Sequence, residues 1–269
     1  MKPETGFLRS QGTRPVLTFL GCFLMSFPAG ATLQDEIQVY DDSINKPGQW
    51  GLELHLNATP SGPRADYPQT PPQVGDVHGY RGTPEISYGL TDTLEAGLYL
   101  PVDNAPGYGT QFAGPRVRLK WIPQQAPQGG LFYGFNVEVS DVKPQYEPDQ
   151  NEVELRPILG YRTEDWLFLT NPVMDYYLHT GYRQNGPEFA PSFKLGRKVM
   201  DGLSAGFEYY TELGQPIVGI LPYSQQSDVL FAVVDVDMKP WVFNFGVGRG
   251  LTSYADGWTV KAIFEIPLE

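Results

Sequence analysis

The feature that most constrains this chain is a two-residue alternation of apolar and polar side chains that returns in segment after segment. In the C-terminal stretch Trp258, Val260, Ala262, Phe264, Ile266 and Leu268 form one face, and Thr259, Lys261, Ile263 and Glu265 the other. The first such segment sets Trp50, Leu52, Leu54, Leu56 and Ala58 against Gly51, Glu53, His55 and Asn57. Period two belongs to β-strands whose two faces meet different surroundings, and no long amphipathic helix competes with it. Candidate strands fall near 48–58, 83–90, 93–101, 112–122, 130–140, 151–161, 165–173, 189–198, 203–212, 227–237, 241–250 and 257–268.

Twelve strands is an even number, as single-chain bacterial barrels with both termini on one side require. The intervening connections alternate in length: long at 59–82, 102–111, 141–150, 174–188 and 213–226, short at 91–92, 123–129, 162–164, 199–202 and 238–240. Outer-membrane barrels have this asymmetry, with short periplasmic turns and long outer loops, whereas a soluble barrel has no reason for it. The expected fold is therefore an all-β, closed antiparallel up-and-down transmembrane β-barrel of about twelve strands over 48–269. A mean hydropathy of −0.30 does not oppose this, because every second residue of such a strand faces the lumen. Pro84, Pro115, Pro157 and Pro191 fall inside candidate strands, where proline cannot donate to a ladder; bulges or strand starts are expected there.

The N-terminus reads as an export signal. Lys2, Arg9 and Arg14 precede an apolar run from Pro15 to Phe27 and the small residues Ala29-Gly30-Ala31, so residues 1–31 are expected to be cleaved. The run is too short for a helix that spans a bilayer. Phe19-Leu20-Gly21-Cys22 offers the alternative of a lipoprotein site, although the apolar run continues past it through Phe23, Leu24 and Met25. Residues 32–47 then form an expected periplasmic segment, and the expected location is the outer membrane of a Gram-negative cell.

The segments DEIQVYDDSINKPGQWGLELHLN (35–57), PEISYGLTDTLEAGLYLP (84–101) and FNFGVGRGLT (243–252) resemble a family of proteobacterial outer-membrane barrels, similar in layout to the meta-pathway phenol-degradation barrel proteins. Most telling is the turn Gly89-Leu90-Thr91-Asp92 followed by Leu94-Glu95-Ala96-Gly97-Leu98. The resemblance implies an outer-membrane location and passage of a small aromatic or apolar molecule, and supplies no catalytic residues. One departure is the terminus Ile266-Pro267-Leu268-Glu269, where such barrels often end on an aromatic residue.

If the apolar face meets lipid, the polar face lines the lumen. That places Glu53, His55, Glu95, Arg116, Arg118, Lys120, Glu138, Glu154, Arg156, Glu208 and Lys261 inside, with Arg116, Arg118 and Lys120 as a basic ladder and Glu152, Glu154 and Arg156 as a mixed one. Two readings stay open: the charges pair and plug the barrel, or they form a selectivity surface. Trp50, Trp121, Trp166, Trp241 and Trp258 lie near strand ends, where amphipathic rings form interfacial girdles. Tyr176, Tyr177 and Tyr182 are placed in an outer loop or an extra strand segment, in reach of ligand or lipopolysaccharide.

Net charge is −12, which argues against a nucleic-acid partner, since phosphate needs a basic face. None of the three histidines, His55, His78 and His179, stands at metal-ligand spacing with another His or Cys, so neither metal nor other cofactor is expected. The leading functional expectation is a channel or uptake porin for small molecules, in contact with outer-membrane lipid and lipopolysaccharide. Two alternatives remain: a lipid-modifying hydrolase, for which His55 with Ser87 is the one pairing available, and a closed structural or adhesive barrel whose loops bind.

Overall fold

Antiparallel pairing of each strand with its neighbour along the chain organises the computed structural model, which describes residues 36–62, 77–143, 145–146, 151–178 and 186–268. Among them run fourteen segments: β1 (Trp50–Ser61), β2 (Tyr80–Gly89), β3 (Leu94–Tyr99), β4 (Val102–Ala105), β5 (Gly109–Phe112), β6 (Arg116–Gln124), β7 (Gly130–Asp141), β8 (Asn151–Arg162), β9 (Trp166–Tyr177), β10 (Glu188–Met200), β11 (Leu203–Glu212), β12 (Ser227–Met238), β13 (Trp241–Gly250) and β14 (Trp258–Leu268). Both β3 and β4 pair with β2, and β5 and β6 return beside them, so each couple is one interrupted strand and the count reduces to twelve. β1 pairs with β14 on one side and with β2 on the other, which closes the sheet into a barrel. The alternation predicts each of the twelve strands so counted, with ends shifted by a few residues. One expected loop differs: 102–111 continues the sheet as β4 and β5 around a tight turn at Pro106-Gly107-Tyr108. Likewise, Tyr176 and Tyr177 end β9 rather than lying in a loop, while Tyr182, His179, Glu269 and the expected signal peptide lie outside the described residues.

The prolines sit where ladders lapse. Pro84 faces the junction of β3 and β4, where its carbonyl accepts the Leu100 N–H at 3.0 Å. Pro115 lies between β5 and β6, outside both. The β8–β9 ladder skips from Leu155↔Met174 to Leu159↔Thr170, and the skipped stretch holds Pro157 opposite Pro172, which in turn pairs with Pro191. The donors missing at these four positions thus fall at interruptions or in one row crossing three strands, and Pro267 adds another near the end of β14, opposite Gly51.

Polarity is inside-out relative to a soluble barrel. Leu56, Leu98, Val117, Leu119, Val139, Phe193, Phe207, Phe245 and Val247 are exposed on the outer wall. The inward positions instead bury His55, Glu85, Glu95, Arg118, Lys120, Asn136, Glu138, Asn171, Glu208 and Lys261. A continuous apolar outer belt has no stable home in water, but it fits the hydrocarbon of a bilayer. Trp50, Trp121, Trp166 and Trp241 ring the end that carries the short turns, and Trp258 stands at the opposite end. A charge placed on that belt should be costly: Leu119→Arg is expected to destabilise bilayer insertion by about 2–4 kcal/mol if Leu119 lies near midplane. Denaturant titration of the protein folded into liposomes measures this, with heat-modifiable gel migration reporting the folded form.

Candidate functional site: the barrel lumen

The chain that precedes β1 lies inside the barrel. Residues 36–45, expected in the periplasm, cross the lumen instead, and the reason is the set of inward polar groups that receives their backbone. The Asn171 side chain brackets Tyr40, accepting its N–H at 2.6 Å and donating to its carbonyl at 3.0 Å. Lys261 donates to the Ile37 carbonyl at 2.8 Å, Arg156 to that of Gln38 at 3.3 Å and Lys120 to that of Ser43 at 2.7 Å. Near the short-turn end, Asp42 accepts from Arg162 at 2.8 Å and from the Ala126 N–H at 2.7 Å, and the Asn45 N–H reaches Glu95 at 2.6 Å. An extended segment at membrane depth must find such partners, because unpaired backbone groups are expensive there.

Apolar side chains of the segment use both walls. Val39 and Tyr40 pack with Ile122, Phe132, Ile158 and Leu169, while Ile37 packs with Val229, Phe231 and Val233. The Tyr40 ring lies among three cations, with Arg156 at 4.4 Å, Lys120 at 4.9 Å and Arg118 at 5.7 Å from its centre, an arrangement favoured by the ring quadrupole. Its hydroxyl contacts that of Tyr99 and reaches Glu138 at 3.3 Å. The adjacent Asp41 accepts the Ser43 N–H at 2.9 Å and lies 3.6 Å from Arg162.

All eleven lumen candidates lie at inward strand positions, eight of them buried, and most of their charges pair. Arg118 binds Glu85, through Nε at 2.6 Å, and Glu95 at 2.8 Å. It can cross β3 to reach β2 because residue 97 is glycine: a Cβ there would stand 2.7 Å from the Arg118 Nε. Arg116 lies 3.5 Å from Glu138, and Arg156 holds both oxygens of Glu154 at 2.6 and 2.9 Å. Lys261 and Lys194 converge on Glu208, and Lys194 also binds Asp235 at 2.9 Å. Glu85, Lys194, Asp235, Tyr99 and Asn171 are lumen partners beyond those expected from the sequence. Four of these occupy inward positions in segments whose alternation is plain or nearly so; Asn171 is flanked by Pro172 and by a lapse in the ladder.

Glu53, His55 and Glu85 form a compact group. The His55 Nε2 lies 3.6 Å from a Glu53 oxygen and 3.7 Å from a Glu85 oxygen. Ser87, the other member of the hydrolase pairing, is not with them. Thr83 is the residue opposite His55, and Ser87 stands four positions further along β2, roughly 13 Å away at strand rise, with its hydroxyl accepting from Asn45 at 2.8 Å.

Two cavities enter the lumen from opposite ends, and Gln38 lines both. The one at the short-turn end, about 450 Å³, meets Glu53, Lys120, Asp165, Lys194, Asp235 and Glu265. The one at the long-loop end, about 150 Å³, is acidic: Glu36, Glu152, Glu154, Asp175 and Glu188 stand against Arg116 and Arg156.

No protein-family model matches the chain, and no curated protein matches it in sequence. Solved structures do match. An outer membrane channel from Pseudomonas putida F1 is similar over 87% of this chain and 100% of its own, at 12% identity and a TM-score of 0.59. The NanC porin is similar over 81% and 99%, at 9% identity and a TM-score of 0.52. The KdgM porin is similar over 81% and 99%, at 8% identity and a TM-score of 0.50. At such identities the likeness is one of fold: this chain has the closed antiparallel barrel of these outer-membrane proteins.

Proposed function

We propose that the chain is an outer-membrane channel for small molecules, held here in a closed form by its own N-terminal segment. The observation that carries this is the pair of charge-lined cavities entering one closed barrel from opposite ends and meeting at residues 36–45. The apolar outer belt and the tryptophans at the strand ends support an outer-membrane setting, as does the fold shared with an outer membrane channel and two porins. Export by a cleaved segment at 1–31 belongs to the same reading. On it the short turns are periplasmic and the acidic cavity opens outward, where its field concentrates cations.

The segment also covers a specific surface. Its displacement would bare Ile122, Phe132, Ile158 and Leu169 on one wall and Val229, Phe231 and Val233 on the other. Such facing apolar strips in a charged lumen suit a small amphipathic or aromatic solute, in line with the resemblance to the phenol-degradation barrels. Catalysis has no comparable support, with His55 and Ser87 apart.

In planar bilayers the wild-type protein is expected to conduct weakly, and a variant with residues 36–45 replaced by a Gly/Ser linker strongly. The open variant should prefer cations, and Glu152→Gln with Glu154→Gln and Glu188→Gln should reduce that preference. Silence from both the wild type and the linker variant, each shown folded by heat-modifiable migration, defeats the channel reading.

A finer test addresses how the segment is held. Asn171→Ala deletes both hydrogen bonds to Tyr40, worth roughly 1.4 kcal/mol or more together. In a Gln38→Cys background, maleimide labelling from the aqueous phase should accelerate about tenfold on adding Asn171→Ala. An unchanged rate would mean that other contacts set the opening.

A further inference from the structure

We propose that Glu53, His55 and Glu85 bind one divalent transition-metal ion, best matched by zinc, on the inner wall where β1 meets β2. The three side chains converge through strand geometry. Glu53 and His55 are two positions apart on β1 and so share its inward face, and Glu85 is the register partner of Glu53 on β2. One donor atom from each residue lies within 4.8 Å of the others. Tetrahedral zinc with bonds of about 2.0–2.2 Å needs neighbouring donors roughly 3.3–3.5 Å apart. The His55–Glu53 and His55–Glu85 separations of 3.6 and 3.7 Å need close by only a few tenths of an ångström.

Two observations beyond proximity point to a cation. First, His55 is 0% exposed, yet neither ring nitrogen makes a hydrogen bond, and the Glu85 Oε2 turned toward it has none either. A buried polar group without a hydrogen-bond partner is costly, and a metal ion is one partner that satisfies an imidazole nitrogen and a carboxylate oxygen together. Second, Glu53 faces Glu85 on one side and Glu265 on β14 on the other, a row of three carboxylates across neighbouring strands. Like charges directly opposite repel. Arg118 relieves part of this by taking the Glu85 Oε1, which leaves Oε2 aimed at the proposed site. Lys120, on the nearby β6, donates to the Ser43 carbonyl instead.

Entry and supporting contacts exist. Glu53 lines the cavity at the short-turn end, so an ion can arrive from that side and keep a water in its fourth position. Gln38 Nε2 lies 3.5 Å from the Glu53 Oε2, which ties the site to the segment in the lumen. The ion would act as a clip between β1 and β2.

The test uses the untagged, folded full chain in detergent, stripped with EDTA and titrated with Co²⁺ as an optical probe. The expected result is a visible absorption band of low-coordinate cobalt that saturates at one equivalent and is abolished by one equivalent of Zn²⁺. His55→Gln should weaken binding by more than roughly a hundredfold, since even outer-shell changes cost about 10–100-fold. Glu53→Gln should weaken it too, and being the partly exposed ligand it serves if His55→Gln misfolds; heat-modifiable migration checks each variant. His78→Gln is expected to leave the titration unchanged. The proposal fails if the wild type shows no saturating band, if the band survives both His55→Gln and Glu53→Gln, or if His78→Gln removes it.

Discussion

Everything in this molecule depends on the double pairing of β1. Its backbone bonds with β14 on one edge and with β2 on the other, in register from Trp50 to Ala58 on both sides. A sheet at membrane depth cannot leave an edge unpaired, because no water is present to take the loose N–H and C=O groups. Closure in turn fixes what each residue sees. With the edge gone, one face of every strand looks outward and the other into a common interior, and the two-residue alternation decides which side chain goes where. The row of prolines at 157, 172 and 191 is tolerable within this scheme. It concentrates lost hydrogen bonds at one level and leaves the ladders intact above and below.

A closed barrel with charges inside faces a desolvation problem. Removing one partner of a buried ion pair is far more damaging than the pair is stabilising, so inward charges must be matched in sign and number nearby. The wall alone does not achieve this. Lys120, Arg156 and Lys261 each spend a donor on a carbonyl of residues 37–43, and Arg162 reaches Asp42. The segment therefore completes the electrostatics of the wall as well as filling space. Its Tyr40 ring serves the same end for the guanidinium of Arg156.

The strands were legible because alternation is local: Leu94 to Leu98 and Trp241 to Val247 announce their faces within a few residues. The inward orientation of Arg118, Glu138 or Lys261 followed directly. What was not legible depended on distance. Nothing near Tyr40 indicates that its backbone will be held by Asn171, 131 positions away. The polar, acidic run from Asp35 to Asp42 reads like a solvated leader, and only the cations assembled by twelve strands show why it goes inside. The β4–β5 hairpin was hidden because its two arms are four residues each and flank Pro106-Gly107, so the stretch after Pro101 reads as a loop although the pairing resumes within it. The Glu53–His55–Glu85 group escaped a search for histidine and cysteine spacing because its third member comes from the next strand, beside Pro84.

Strand number explains why a segment is needed at all. Eight strands enclose an interior that side chains can just fill, and sixteen or more leave an aqueous channel. Twelve fall between, with a lumen wider than its own side chains fill yet narrow enough for one extended chain to reach both walls. Residues 36–45 meet that geometry: Ile37 touches β12 while Val39 and Tyr40 touch β6 to β9. The contacts are a mixture of single hydrogen bonds, ion pairs and two modest apolar patches, with no strand pairing between segment and wall. Each bond of this kind is worth about 1 kcal/mol net, so the segment can be held firmly and still leave without unfolding the barrel that holds it. The barrel's closure rests on its ladders alone, and on the proposed reading that separation of roles would let one polypeptide be both the wall and its own stopper.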